Sequence, residues 1–203
     1  MASATGGGRS RRGVTRRALL AGGSTAGLGA IAGCQGTDDV PDPVTIAADR
    51  ACDNCTMTVS RYPGPVGQAQ YDAPEEVVGE DRPAQFCSSL CTYDHAFEQE
   101  RAGRDPLGIH LTDYSSVEPT IEADDGEPEA DDGEPVISAH LEADAFGPAA
   151  ELTLVVDSEV RGAMGESMIG FSDADDADAF RTEYGGETLA HDDVTAELVS
   201  SLA

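Results

Sequence analysis

Four cysteines form two close pairs, Cys52 with Cys55 and Cys87 with Cys91. In an exported protein, paired cysteines usually form disulfides. Four thiolates at these spacings could instead hold a zinc ion, and Cys52 with Cys55 could act as a redox-active CxxC pair. The prolines and glycine within 58–65 argue against the long helix that follows the cysteines in a thioredoxin-like motif, but the residues alone leave all three interpretations open.

A methionine next to the first pair adds a fourth interpretation. Met57 follows Cys55 by two residues, so both side chains point to the same side of an extended segment. A thiolate with a thioether is the soft donor set that selects Cu(I). A second methionine segment contains Met164 and Met168. Flanking glycines favour an exposed turn for Met164, while ordinary core packing is the alternative for both methionines.

Nitrogen ligands and catalytic groups are less well indicated. His95 lies four residues after Cys91, so the two side chains could share one helix face; surface or packing roles are the simpler interpretation of the four histidines. The chain contains no GxSxG, HExxH or P-loop motif. We therefore expect a protein that is not an enzyme.

The elements around the cysteines follow the order strand, strand, helix, strand. Alternating residues predict a strand over 66–72 and another over 82–86. Ser88 or Ser89 can cap the following helix, and a third strand is predicted over 107–114. The first half of the chain is therefore predicted as ββαβ.

The second half repeats this order. Its predicted strands cover 136–142, 152–156, 167–171 and 188–191. Ser172 or Asp173 caps a helix that ends at Gly185 and Gly186. We predict an α+β fold of two small ββαβ-like halves, which suggests an internal duplication.

The N-terminus is typical of an export signal. Arg16-Arg17, followed by Leu19-Leu20, fits the twin-arginine (Tat) pattern. The apolar stretch 18–33 is shorter than the roughly 20 residues that span a bilayer. It leads into Cys34 through a segment that resembles a lipobox, so we expect a lipid on this cysteine and attachment to the extracytoplasmic face of the cell membrane. An uncleaved signal anchor is the alternative.

The chain is strongly acidic, with a net charge of −27. Five of its 12 basic residues and none of its 39 acidic residues precede Cys34, so the remainder carries −32. This charge excludes binding to a nucleic-acid backbone as a main activity. Acidic residues spread along the whole chain indicate a surface adapted to high salt, and therefore a halophilic source.

A perfect tandem repeat of acidic heptads lies between the two halves, over 122–128 and 129–135. A segment of this composition cannot bury a core and is predicted to be a linker. The predicted segments are a signal peptide 1–33, a tether 34–43, a first half 44–120, an acidic linker 121–135 and a second half 136–203.

The methionine segments resemble those of the NosL family. Cys55-Thr56-Met57, followed by the segment 62–68, is similar to the family's N-terminal signature. The segment 162–165, followed by Phe171, is similar to its second signature, and 86–94 fits the strand-to-helix step between them. The lipoprotein signal fits this family as well.

Membership would imply two ββαβ domains and a Cu(I)-binding lipoprotein that delivers copper to nitrous oxide reductase. The resemblance points to Cys55, Met57 and Met164 as copper ligands. Cys52 would be an extra ligand, or would block the site through a disulfide with Cys55. Thr56 departs from the glycine or other small or polar residue of many members.

We therefore predict a Cu(I) carrier with two partners. One is apo nitrous oxide reductase or another copper-accepting protein, and the other is the membrane, reached through the lipid anchor. A thiol–disulfide oxidoreductase and a zinc- or disulfide-stabilised interaction domain are the alternatives.

Overall fold

A computed structural model describes residues 40–123 and 133–202. The predicted signal peptide, the lipidation residue Cys34, most of the tether and most of the acidic repeat lie outside the described residues. No helix in either described range combines the length and the apolar character needed to cross a bilayer.

Nine strands and four α-helices lie within the described ranges. The strands are β1 (Gly67–Gln70), β2 (Ala84–Phe86), β3 (Gly108–Thr112), β4 (Ile121–Ala123), β5 (Pro135–Ile137), β6 (Phe146–Pro148), β7 (Thr153–Val156), β8 (Ile169–Phe171) and β9 (Glu187–Ala190). The helices are α1 (Pro74–Val78), α2 (Ser89–Arg101), α3 (Ala174–Tyr184) and α4 (Ala196–Leu202).

The first sheet supports the segment that contains the second cysteine pair. Its strands run antiparallel in the order β2-β1-β3-β6. Helix α2 packs against β1 and β2. Gly67 permits this close approach, since a side chain at that position would collide with Thr92 of the helix. The strand-to-helix connection from β2 to α2 therefore sits firmly on the first core.

The second half uses the same connections. Strand β7 lies between β8 and β9, and both pairings are antiparallel. Helix α3 joins β8 to β9 and packs against β7 and β8. In each half the first strand is central, the second lies on one side and the last on the other. The predicted α+β fold with two ββαβ-like halves is confirmed.

A buried carboxylate ties the two halves together. Asp113 follows β3 and accepts hydrogen bonds from the backbone N–H groups of Ser115 and Ser172 and from the Ser116 hydroxyl. Burial alone would raise the pKa of Asp113, but these hydrogen bonds outweigh it and the pKa is lowered. The ionised carboxylate thus fixes the end of β3 beside the start of α3.

The structure differs from the predicted elements mainly after the repeat. The strand predicted over 136–142 is the shorter β5, which pairs with β4 rather than with the second sheet. Strand β6 was not predicted, because Gly147 and Pro148 are weak strand formers; it forms the edge of the first sheet, where proline is tolerated. The short helices α1 and α4 were also missed.

Candidate metal centre

The first cysteine pair lies on a tight loop over 52–57. The Thr56 N–H donates to the Cys52 carbonyl at 2.9 Å, and the Cys52 N–H donates to the Met57 carbonyl at 2.8 Å. Thr56 has φ +66, a left-handed conformation that is costly for a β-branched residue. This backbone path turns the chain sharply enough to bring Cys55 back beside Cys52.

Asp53 fastens this loop to strand β2. Its carboxylate accepts hydrogen bonds from Arg82 Nη1 and Nη2 at 2.6 and 2.8 Å, and from the Gln85 N–H at 2.7 Å. The Asp53 N–H donates in turn to the Gln85 carbonyl. The loop is thereby held next to the end of β2, where the second cysteine pair begins.

The second pair spans the start of helix α2. Cys87 follows β2 directly, and Ser88 is the N-cap residue whose hydroxyl accepts a hydrogen bond from the Cys91 N–H at 3.0 Å. This cap satisfies a free N–H of the first turn. It also brings the Cys91 sulfur to 3.8 Å from that of Cys87.

All four cysteine sulfurs meet at one point. The Sγ atoms of Cys52, Cys55, Cys87 and Cys91 lie within 4.8 Å of one another, and all four thiols are free. The sulfurs of Cys55 and Cys87 are 3.4 Å apart. Four sulfurs around one ion, at metal–sulfur distances of about 2.3 Å in a tetrahedron, would be about 3.8 Å apart. The arrangement therefore has the dimensions of a single-ion site.

The site is buried but can be reached from one side. Cys52, Cys87 and Cys91 are at most 3% exposed, whereas Cys55 is half-buried. Cys52, Cys87 and Cys91 also belong to the first hydrophobic core, against which Cys55 and Met57 pack. A ligand exchanging with solvent would thus approach through Cys55.

The later methionine segment is connected to the same helix start. The N–H groups and carbonyls of Gly162 and Gly165 pair in a turn, which leaves Met164 38% exposed at its tip. Met168 is fully buried, and its N–H donates to the Ser89 hydroxyl at 3.0 Å. Ser89 is two residues from both Cys87 and Cys91, so the segment containing Met164 is anchored beside the second cysteine pair.

A comparison with family sequence models shows which family this chain belongs to. The sequence model of the NosL family matches residues 43–199. This chain belongs to the NosL family. A crystal structure of the copper chaperone NosL from Shewanella denitrificans is similar, with a TM-score of 0.55 and 24% identity, covering 77% of this chain and 99% of that chain. At this identity the likeness shows a shared fold. No curated protein matches the chain.

The thiols of this NosL protein differ in how readily they ionise. Hydrogen bonds donated by the Cys87 and Cys91 thiols lower the pKa of Cys52. Donating to Cys52, together with burial, raises the pKa of Cys87. The hydrogen bond to Cys52 and burial raise the pKa of Cys91 to about 12. Cys52 is therefore the first of the three buried thiols to become a thiolate.

No histidine joins the cysteine sulfurs. In the two described ranges, the four cysteines are the one group of three or more His, Cys, Asp or Glu side chains that could hold a metal ion together. His95 is buried, lies against Phe86 with ring centroids 4.9 Å apart, and has its Nδ1 3.4 Å from the Tyr71 hydroxyl. Desolvation lowers the pKa of His95. Its packing explains the presence of this side chain on α2.

The structure thus places Cys52 and Cys55, two of the four predicted site residues, beside Cys87 and Cys91. From the sequence, Cys87 and Cys91 are candidates only for a zinc site or a disulfide. Met57 packs on the same core, and Met164 lies on a turn joined to it. The sequence does not single out Cys87 and Cys91 as copper ligands, because the ligands implied by the NosL resemblance lie on the methionine segments. The signal was nevertheless present, since a CxxxC pair across a serine-capped helix start presents both thiols on one side.

Proposed function

We propose that this NosL protein is a Cu(I) carrier that holds the ion among its clustered cysteine sulfurs. The observation that carries the proposal is the convergence of four free thiols within 4.8 Å. Thiolate and thioether sulfur are the donors that suit Cu(I) among biological metals. We assign Cys55, Met57 and Met164 as ligands, with Cys52 as a further thiolate.

The unequal exposure of the sulfurs suits transfer rather than permanent storage. Cys55 is half-buried and Met164 is 38% exposed, whereas Cys52 is 1% exposed. A ligand of an acceptor protein can displace an exposed donor while the buried thiolate still holds the ion. Such stepwise exchange describes a carrier and needs no catalytic residue.

The acceptor that we propose is apo nitrous oxide reductase or another copper-accepting protein. The similar Shewanella denitrificans protein is described as a copper chaperone, and a shared family supports a shared kind of cargo. The net charge of −27 opposes nucleic-acid binding. Transfer to apo nitrous oxide reductase can be followed by adding the copper-loaded chain and measuring copper in the separated acceptor.

We further propose that the chain is exported by the Tat route and anchored through a lipid on Cys34 at the extracytoplasmic face of the membrane. The twin arginines and the lipobox-like segment support this location. Replacing Cys34 by Ser should release the protein into the extracytoplasmic soluble fraction. Continued sedimentation of the variant with membranes would contradict lipid anchoring.

Copper binding is tested by anaerobic titration of the reduced, metal-free chain with Cu(I) against a chromogenic Cu(I) chelator. Met164→Leu should weaken binding about tenfold, which corresponds to about 1.4 kcal/mol. Met168→Leu is the matched control, because it removes a buried thioether at nearly constant volume. Equal affinities in both variants would remove Met164 from the site.

Four clustered thiols also favour a second candidate, a structural zinc site. Such a site contributes directly to folding. The two functions differ in what the methionines do, since zinc makes little use of a thioether. Stoichiometric zinc in the isolated protein, with affinity unaffected by Met164→Leu, would support the zinc site over the copper carrier.

A further inference from the structure

The centre contains more thiols than a Cu(I) carrier needs. The soft ligands proposed for Cu(I) are the sulfurs of Cys52, Cys55, Met57 and Met164, which leaves Cys87 and Cys91 unassigned. The structure offers four cysteine sulfurs within 4.8 Å, with Met57 packed on the same core. After one ion has been bound, a pair of thiols is left for other chemistry.

We propose that the centre reduces Cu(II), with Cys87 and Cys91 as the electron donors, and that it keeps one of the two Cu(I) ions formed and releases the other. This inference rests on the proposed copper-carrier function. The reaction is two Cu(II) ions plus two thiols giving two Cu(I) ions, one disulfide and two protons. Each copper gains one electron, the sulfur–sulfur bond forms between Cys87 and Cys91, and the two S–H bonds break.

Proximity, together with the need to keep Cys55 free for copper, selects this pair. The sulfurs of Cys87 and Cys91 lie 3.8 Å apart at the start of one helix, and a disulfide bond requires about 2.05 Å. Cys55 lies closer to Cys87, at 3.4 Å. A bond between those two would, however, consume the one thiol that is accessible to arriving copper. Oxidation of Cys87 with Cys91 leaves Cys52, Cys55 and Met57 intact on their loop.

Burial also favours an internal disulfide. Cys87 is 0% exposed and Cys91 3% exposed, so thiols of other molecules cannot reach them in the folded protein. Cys55 is half-buried and provides the contact with the arriving ion. Electrons then pass over the 3.4 Å between the Cys55 and Cys87 sulfurs. A dithiol reductant would restore the pair by thiol–disulfide exchange once the site opens.

The test uses the full chain carrying Cys34→Ser, which removes the fifth cysteine, in reduced, metal-free and anaerobic form. Cu(II) is added stepwise and followed by electron paramagnetic resonance. We expect the Cu(II) signal of about two equivalents to disappear while the free thiols fall from about four to two. Peptide mapping should find a Cys87–Cys91 disulfide, and one equivalent of Cu(I) should remain bound after desalting. The same chain loaded directly with Cu(I) should keep all its thiols.

Cys91→Ser in the same background is the diagnostic variant. This variant should still bind Cu(I), which also verifies its fold. Its Cu(II) signal should disappear about tenfold more slowly or slower still, because Cys87 has lost the thiol with which it forms a disulfide. The inference would be overturned by a persistent Cu(II) signal in the parent chain or by a disulfide at another pair. It would also be overturned if the first-order rate constant for loss of the Cu(II) signal increased with protein concentration. Cu(I) binding without Cu(II) reduction would leave the carrier function standing, whereas reduction without Cu(I) retention would refute the carrier function itself.

Discussion

Asp53 offers the most direct test of how the cysteine loop is held. Its carboxylate accepts three hydrogen bonds, two from the Arg82 guanidinium and one from the Gln85 N–H. Asp53→Asn keeps the size of the side chain but removes its charge and one of its two acceptors. The amide must then place N–H donors against a guanidinium that can only donate.

The expected cost follows from these contacts. A hydrogen bond to a charged group contributes about 1.5–3 kcal/mol. Asn loses the bond from Arg82 Nη2 and the charge that strengthens the other two. The Asp53 and Arg82 side chains are 14% and 15% exposed, and Arg82 keeps a second partner in Glu80, which reduces the loss. We expect the free energy of unfolding to fall by about 2–3 kcal/mol.

Urea unfolding followed by circular dichroism measures this loss, and an unchanged m-value shows that the unfolded state is unaffected. Arg181→Gln is the matched control, because its ion pair with Asp178 has side chains 45% and 66% exposed. That control should cost less than about 0.5 kcal/mol. If Asp53→Asn costs no more than the control, the Asp53–Arg82 contact does not hold the loop. Cu(I) affinity measured on the same variant shows whether loosening the loop disturbs the sulfurs.

Three further predictions concern protons, backbone and salt. The pKa values of Cys87 and Cys91 are raised, so zinc, which would use all four thiols, should release about two more protons on binding than Cu(I) held by the proposed ligands. Competition assays should therefore show that zinc affinity increases about a hundredfold more per pH unit than Cu(I) affinity does. Parallel pH profiles for the two metals would contradict the ligand assignment. Thr56→Gly should stabilise the protein by about 1 kcal/mol in urea unfolding, because φ +66 costs glycine nothing; a loss of stability would show that the hydroxyl or methyl group matters. The free energy of unfolding should increase between 0.1 and 1 M KCl, as the Debye length falls from about 10 to about 3 Å, and a flat profile would show that self-repulsion is negligible.

The sequence predicts the two ββαβ halves because their elements carry strong local signals. Ser88 and Asp173 cap α2 and α3, and Gly185, with φ +74, follows the end of α3. Strand β6 lacks such a signal, since Gly147 and Pro148 form a strand only where a neighbouring edge is available. Tertiary pairing therefore decides this strand, and local propensity cannot.

The sequence predicts only the part of the site that lies on one short segment. Spacing within 52–57 indicates that Cys55 and Met57 can act together, because both lie on one short segment. The approach of Cys87 to Cys55 depends on a contact across 32 residues and on the link between Asp53 and β2. Sequence spacing does not encode such a contact, so the donor set emerges only from the fold.

The hydrogen bond from Met168 to the Ser89 hydroxyl spans 79 residues of chain. A contact of this kind forms only after a large loop has closed, and long-range contacts are slow to form during folding. The sulfurs near α2 and the turn at Met164 are therefore assembled only when both halves have folded. A nascent or damaged chain would offer scattered single sulfurs, so tight metal capture would be restricted to molecules that have completed their folding.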